Sequence, residues 1–338
     1  MKGRMPQESR PNRVIVLGAG AIGASVGALL YETGVSVVLV ARGEHGRVMA
    51  QRGLDLRLPF ESRLVDVPVV SSMEAAAPSA ADLVLLSVMG HHTAEAVASL
   101  PLGVPIVSMQ NGTAPLELLR HRGYPLIAGM VYVPAERRSP GVVALAGIPQ
   151  PGAFLLGTWC ADLAPPTGWI PWLVDRLRQA GFLAEHEPDI GPWVRAKLLG
   201  NLGGIIVALC DAPPPVVVEA AQAEARRIWR ASGQGFRSPQ ELYERVGALR
   251  IAAVDGLLRR GGSTRHALGR GQRLETDCLH RPIVDLGASL GIPTPVNTAL
   301  IALAEQAVAE GWEPGQLRAE ALCSAAGLEY GGGDSVGP

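Results

Sequence analysis

The sequence predicts an α/β domain built on a doubly wound parallel sheet, followed by an all-helical domain. Three observations carry this expectation. Short apolar runs alternate with Ala- and Leu-rich stretches through the first half of the chain, the pattern of strands joined by crossover helices. The first run opens into a glycine-rich turn and then a helical stretch, and the unit closes on a second apolar run within about 30 residues. From Asp189 onward the period changes: Trp193, Leu198, Leu199, Leu202, Ile205, Ile206 and Leu209 recur at helical spacing. A length of 338 residues suits two domains better than one core.

Taken in order, residues 1–12 read as a polar extension and Arg13 to Leu17 as a strand. Gly18-Ala19-Gly20-Ala21-Ile22-Gly23 is a turn leading into a helix that reaches Tyr31, and Val35 to Val40 is a second strand ending at Ala41-Arg42-Gly43. Further strands are expected at Leu83 to Val88, Pro105 to Met109, Leu126 to Val133 and Ala153 to Gly157. Leu54 to Val70 alternates apolar and charged residues around Pro59, which predicts a small antiparallel insertion. A Pro/Trp-rich connection at Pro165 to Pro171 precedes the change of pattern, so the domains are expected at 13–185 and 186–328, with 329–338 a flexible tail. In the second domain, Asp211-Ala212-Pro213-Pro214-Pro215 ends the first helix, because proline cannot continue it. Later helices are expected over Glu219 to Ala231, Pro239 to Arg260, Arg273 to Leu290 and Asn297 to Ala309.

Composition narrows the function. Thirty basic and 31 acidic residues give a formal net charge of -1, which provides no whole-molecule field for nucleic acid or an anionic membrane surface. No apolar run has spanning length and the first residues lack a signal-peptide core, so a cytoplasmic protein is expected. The four cysteines, Cys160, Cys210, Cys278 and Cys323, lack CxxC spacing and read as small buried hydrophobes rather than a metal or redox site.

Of the 30 basic residues only two are lysines: Lys2 in the polar extension and Lys197 in an apolar stretch. Arginine stands wherever a positive charge suffices. A lysine can give up its proton when buried and arginine cannot, so Lys197 is the candidate acid or base; the competing account is a lysine snorkelling from a helix.

The glycine turn has the context of a Rossmann-type dinucleotide site. The first glycine permits the tight turn, the second lets backbone approach a pyrophosphate, the third packs helix on strand, and the helix N-terminus favours the anion. Gly18, Gly20, Ala21, Ile22 and Gly23 are therefore the candidate cofactor residues. Sites that prefer NAD place an acid at the end of the second strand; this chain places Arg42 there, which suits a 2′-phosphate and favours NADPH/NADP+, with Arg47 a second contact. The competing account of Arg42 is an ordinary surface charge in an arginine-rich chain.

Gly18-x-Gly20-x-x-Gly23 with Arg42, Gln110-Asn111-Gly112, Lys197-x-x-x-Asn201, Ser263, Glu275 and Gly291-Ile292-Pro293-Thr294-Pro295-Val296-Asn297-Thr298 together resemble the ketopantoate reductase family, the 2-dehydropantoate 2-reductases, over nearly the whole chain. The resemblance implies reduction of a 2-keto acid by NADPH, ketopantoate to pantoate in pantothenate biosynthesis, with Lys197 protonating the forming alkoxide. It implies Glu275 as the carboxylate that orients lysine and substrate, Asn201 and Ser263 as substrate contacts, and Asn111 beside both nicotinamide and substrate. The alternative for Glu275 is a solvated helix-face charge among Arg273, Asp277 and Arg281. The partner implied is a small-molecule carbonyl compound, and the apolar helices suggest a homodimer through the helical domain.

The chain departs from the family pattern in three places. Met89 sits where the family carries a second lysine, with His91 and His92 close by; Ile205 stands where a second asparagine is expected; and Ser263 is followed by Thr264-Arg265-His266-Ala267 rather than Ser-x-x-Gln-Asp. Loss of hydrogen-bonding groups changes what a pocket recognises. The competing readings are therefore a family member that acts on another carbonyl or an imine in secondary metabolism, and a catalytically altered NADP-binding protein.

Overall fold

The computed structural model describes residues 10–247, 249–259 and 261–330. Residues 1–9 of the expected extension and 331–338 of the expected tail lie outside them. The chain packs as two compact units. One runs to Val194 and takes in Gln240–Arg259; the other comprises Arg195–Pro239 and the described residues after Arg259.

In the first unit an eight-stranded sheet runs, in spatial order, Leu183–His186, Ala153–Thr158, Leu126–Tyr132, Ile106–Ser108, Leu83–Leu86, Val14–Leu17, Val37–Val40 and Val69–Val70. The six strands from Leu126–Tyr132 to Val69–Val70 are parallel, and Ala153–Thr158 joins them antiparallel. The expected strands all lie in this sheet. They were readable because both faces are covered: Val14 and Val16 enter one apolar cluster and Ile15 and Leu17 the other, so each strand is a continuous apolar run.

The expected insertion is present as an antiparallel pair, Leu54–Arg57 with Ser62–Val65, but it does not stand alone. It extends into a four-stranded sheet with Val142–Leu145 and Ala135–Ser139, while Val69–Val70 instead joins the edge of the main sheet. Pro171, read as part of a connection, lies in the first turn of a helix, Trp169–Gln179, where its missing N–H is harmless.

The segment after Pro239 differs most from expectation. Its helix stops at Arg245, Gly247 takes φ +72°, and Arg250–Ile251 pairs antiparallel with Gly147–Ile148 of the same unit. Arg245 reaches Glu185 and Glu187 and lies 4.3 Å from the Trp193 ring centroid, while Leu242 and Val246 pack on the apolar cluster of this unit. Tertiary partners override the helical pattern here.

The second unit is helical. The lysine helix, Gly191–Asn201, has its first residues, to Val194, in the first unit and the rest in the second; Leu202 and the Gly203-Gly204 pair interrupt it before Gly203–Leu209 continues. Pro215–Ala231 and Pro295–Ala309 form the longest helices. The single helix expected from Arg273 to Leu290 is instead one turn, Thr276–Leu279, then Arg281–Ser289. Pro282 accounts for the break, since its ring has no N–H to donate and would press on the carbonyl one turn back.

Candidate active site

Because the strands are parallel, the first unit gathers its candidate residues on one sheet edge. The glycine turn follows Val14–Leu17, Arg42 follows Val37–Val40, Met89 follows Leu83–Leu86, and Gln110 and Asn111 follow Ile106–Ser108. The chain turns one way from Val14–Leu17 to Val37–Val40 and the other way to Leu83–Leu86, so this carboxyl edge contains the switch point at which such sheets bind ligands.

The three glycines differ in their surroundings. Gly18 has φ +95°, and a Cβ there would lie 2.7 Å from the Val88 nitrogen. A Cβ on Gly23 would meet Ser87 Oγ at 2.3 Å and the Gly18 carbonyl at 2.5 Å, so this residue permits the close approach of the Ala21–Glu32 helix to the strands. At Gly20 a Cβ would meet nothing within 4 Å. That open side is where the second glycine of such a turn admits a pyrophosphate, at the N–H groups of Ala21, Ile22 and Gly23 in the first helical turn, so these residues fit a dinucleotide.

Three polar residues fix this edge: Gln110, which the Gln110-Asn111-Gly112 motif contained, and Ser87 and Thr93, which carried no obvious sequence signal. Ser87 Oγ donates to the Gly18 carbonyl at 2.7 Å, tying the turn to the neighbouring strand end. Gln110 is buried; its amide donates to the Val88 carbonyl at 3.0 Å and to Thr93 Oγ1 at 2.8 Å, and Thr93 donates to the Gly90 carbonyl at 2.6 Å. Gln110 thus holds the loop bearing Met89, His91 and His92. Met89 is 38% exposed, and His92 Nδ1 lies 3.6 Å from Glu95.

Arg42 occupies the N-cap position of the Gly43–Arg52 helix without capping it through its side chain, and is exposed, with its guanidinium 3.1 Å from Glu95. Arg47, the other candidate phosphate contact, is paired with Glu44 at 2.9 Å and Gln51 at 2.9 Å.

In the second unit the structure brings Lys197 and Glu275 together. Lys197 lies on the lysine helix between fully buried Ala196 and Leu198. Burial of its ammonium pushes the pKa down, Glu275 pushes it back up, and it settles at about 8. Glu275 is itself buried, the N-cap residue of Thr276–Leu279, so it is not a solvated helix-face charge; Arg273 pairs instead with Asp277. Asn201 lies one turn beyond Lys197 on the same helix face. Ser263 is exposed at the first position of the Ser263–Leu268 helix, whose Thr264 packs against Gly204 just after the lysine helix. Ile205 is fully buried in the apolar cluster of this unit, so a side chain there lines no open surface.

Chemically, a lysine whose pKa desolvation holds down at about 8, beside a carboxylate, can both stabilise a nearby oxyanion and release a proton to it near neutral pH. Among the described residues no group of three or more His, Cys, Asp or Glu side chains could hold a metal ion, and no helix is long and apolar enough to cross a membrane.

Comparisons with known proteins identify the family and the fold. The family model described as Ketopantoate reductase PanE/ApbA matches residues 14–160, and its C-terminal counterpart matches residues 215–308. A 2-dehydropantoate 2-reductase of Archaeoglobus fulgidus is 28% identical over 307 residues, covering 87% of this chain and 97% of its own. One from Pyrococcus horikoshii is 26% identical over 309 residues, with 86% and 96% covered. The crystal structure of a PanE/ApbA family ketopantoate reductase from Ralstonia eutropha JMP134 superposes with a TM-score of 0.74 at 28% identity, covering 88% of this chain and 99% of that one. The chain belongs to the ketopantoate reductase family and is an oxidoreductase of that family.

Proposed function

We propose that the protein reduces the ketone of a 2-keto acid with NADPH, that ketopantoate is its first candidate substrate, and that Lys197 is the general acid. The observation that carries the reading is the pairing of Lys197, a half-buried residue whose ammonium is desolvated, with the buried Glu275 carboxylate, in a chain whose other lysine is Lys2. The reduced dinucleotide, when bound, supplies a hydride for the ketone carbon. As that carbon becomes tetrahedral its oxygen gathers negative charge, which the Lys197 ammonium stabilises and then neutralises by giving up a proton. Glu275 keeps the lysine protonated at working pH in spite of burial. Asn201, one turn along, Ser263 and Asn111 are assigned to the substrate, and Arg42 to the 2′-phosphate, for which it would leave Glu95.

Met89 supports a second reading in which the acceptor is another carbonyl or imine compound. It puts a thioether at the sheet edge, 38% exposed, where the family carries an ammonium. The protein is assigned to the cytoplasm and to a homodimer through the helical unit, the dimer being supported by the exposed apolar residues Val207, Val216 and Leu290.

The test is NADPH consumption with ketopantoate, with a panel of other 2-keto acids, and with keto acid plus amine. Turnover with ketopantoate is expected. Turnover only with the panel or only with amine present transfers the proposal to those acceptors, and NADPH binding without turnover on any of them overturns it.

A further inference from the structure

The helical unit contains a buried histidine that the proposed chemistry does not use. His280 is fully buried, with Nδ1 2.8 Å from Asn297 Oδ1. The Asn297 amide nitrogen donates to Glu224 at 2.7 Å and to the Ala221 carbonyl at 3.0 Å, so its oxygen accepts and His280 Nδ1 carries the proton. Burial lowers the His280 pKa to about 4, and the ring is neutral at physiological pH. Its Nε2 is buried without a hydrogen-bond partner among the described residues.

The bonds extend in both directions. Glu224 also accepts the backbone N–H groups of Val296 at 2.9 Å and Asn297 at 3.0 Å, at the start of the Pro295–Ala309 helix. Two residues before Glu224, Gln222 donates to the Leu199 carbonyl of the lysine helix at 3.1 Å. In the other direction His280 closes the single turn that begins at Glu275: the Glu275 carbonyl accepts from the Cys278 and Leu279 nitrogens, both at 3.1 Å, and the Thr276 carbonyl accepts from the His280 nitrogen at 2.9 Å. Leu279 packs in one apolar cluster with Leu198 and Leu199. The lysine helix and the turn bearing Glu275 are therefore both fastened to the Pro215–Ala231 helix, one through Gln222 and the other through Glu224, Asn297 and His280.

We propose that His280 is a positioning residue, whose Nδ1–H bond to Asn297 holds the turn that sets the Glu275 carboxylate against the Lys197 ammonium. The inference rests on the reading of Lys197 as proton donor. Ionisable groups beside Glu275 include the Cys278 thiol, pushed up to about 12 by burial and by Glu275, and the Asp277–Arg273 ion pair.

The test reads the lysine directly. With only Lys2 and Lys197 in the chain, carbon-13 lysine labelling of a Lys2→Arg protein leaves a single side-chain signal whose titration is followed by NMR. His280→Ala should lower the Lys197 midpoint by roughly one unit, as the carboxylate loses its fixed place, and the alkaline limb of kcat/KM should move with it. His280→Asn, which keeps an amide donor for Asn297, should restore most of the shift. Should His280→Ala fail to fold, Asn297→Leu removes the same bond from the other side and should lower the midpoint in the same way. A folded His280→Ala protein whose Lys197 titrates as in the wild type overturns the positioning role, as does His280→Asn behaving like His280→Ala. A wild-type protein that reduces no acceptor sinks the reductase reading without moving the titration, so the two failures are distinguishable.

Discussion

Replacing Glu275 with glutamine keeps its shape and removes its charge. In the wild type, desolvation pulls the Lys197 pKa down and Glu275 opposes it, leaving about 8. An opposite charge at close range supports the charged form by roughly 1 to 3 units, and a loss of about 1.5 units would bring the variant lysine to about 6.5. The sign follows from the role: the protonated amine is the active form in reduction, so activity is full below the pKa and lost as pH rises through it. At about pH 8 roughly half of the wild-type amines but only about 3% of the variant's carry the proton, a fall of about 15-fold in kcat/KM; at about pH 6 the fall is only about 1.3-fold. The assay is kcat/KM against pH for ketone reduction by both proteins. An alkaline limb at the same pH in both, with the variant lower by a constant factor, would refute the electrostatic role of Glu275.

Other substitutions probe the remaining assignments. Arg42→Ala should weaken NADPH binding by roughly 10- to 100-fold and leave NADH binding nearly unchanged, as read by fluorescence titration; equal losses for both would remove Arg42 from the 2′-phosphate. Gly18→Ala places a Cβ 2.7 Å from the Val88 nitrogen at φ +95°, so a loss of about 2 kcal/mol or more in stability and weaker dinucleotide binding are expected, with calorimetry and titration as the measurements and an unchanged Tm the contrary result. Ile205→Asn puts a buried amide into a fully apolar cluster; it should cost about 3 kcal/mol in urea unfolding, and a near-neutral outcome would mean that the site opens to solvent.

Local chemistry was legible in the sequence where it dominates the structure. Strands buried on both faces read as unbroken apolar runs, and Lys197 stood out because arginine fills almost every other basic position. What was hidden depends on partners distant along the chain. The Pro239 helix stops at Arg245 because Glu185, Glu187 and Trp193 hold the arginine on the first unit, which a helical period cannot reveal. The four-stranded sheet pairs Leu54–Arg57 with Val142–Leu145, a non-local match with no signature in either segment. Pro282 is a visible signal for the break before Arg281–Ser289, masked by the apolar period that continues on both sides of it. In the site, the motif pointed to Glu275, but the chain Glu224, Asn297, His280 joins residues as far as 73 positions apart, and Ser87 is one polar residue at the end of an apolar strand.

Lys197→Arg keeps the positive charge and abolishes proton donation at any accessible pH. Single-turnover NADPH oxidation by this variant, after titration has established that NADPH still binds, should be slower than the wild type by roughly 10²- to 10⁴-fold. Hydride transfer at the wild-type rate in this variant would contradict the assignment of Lys197 as the proton donor.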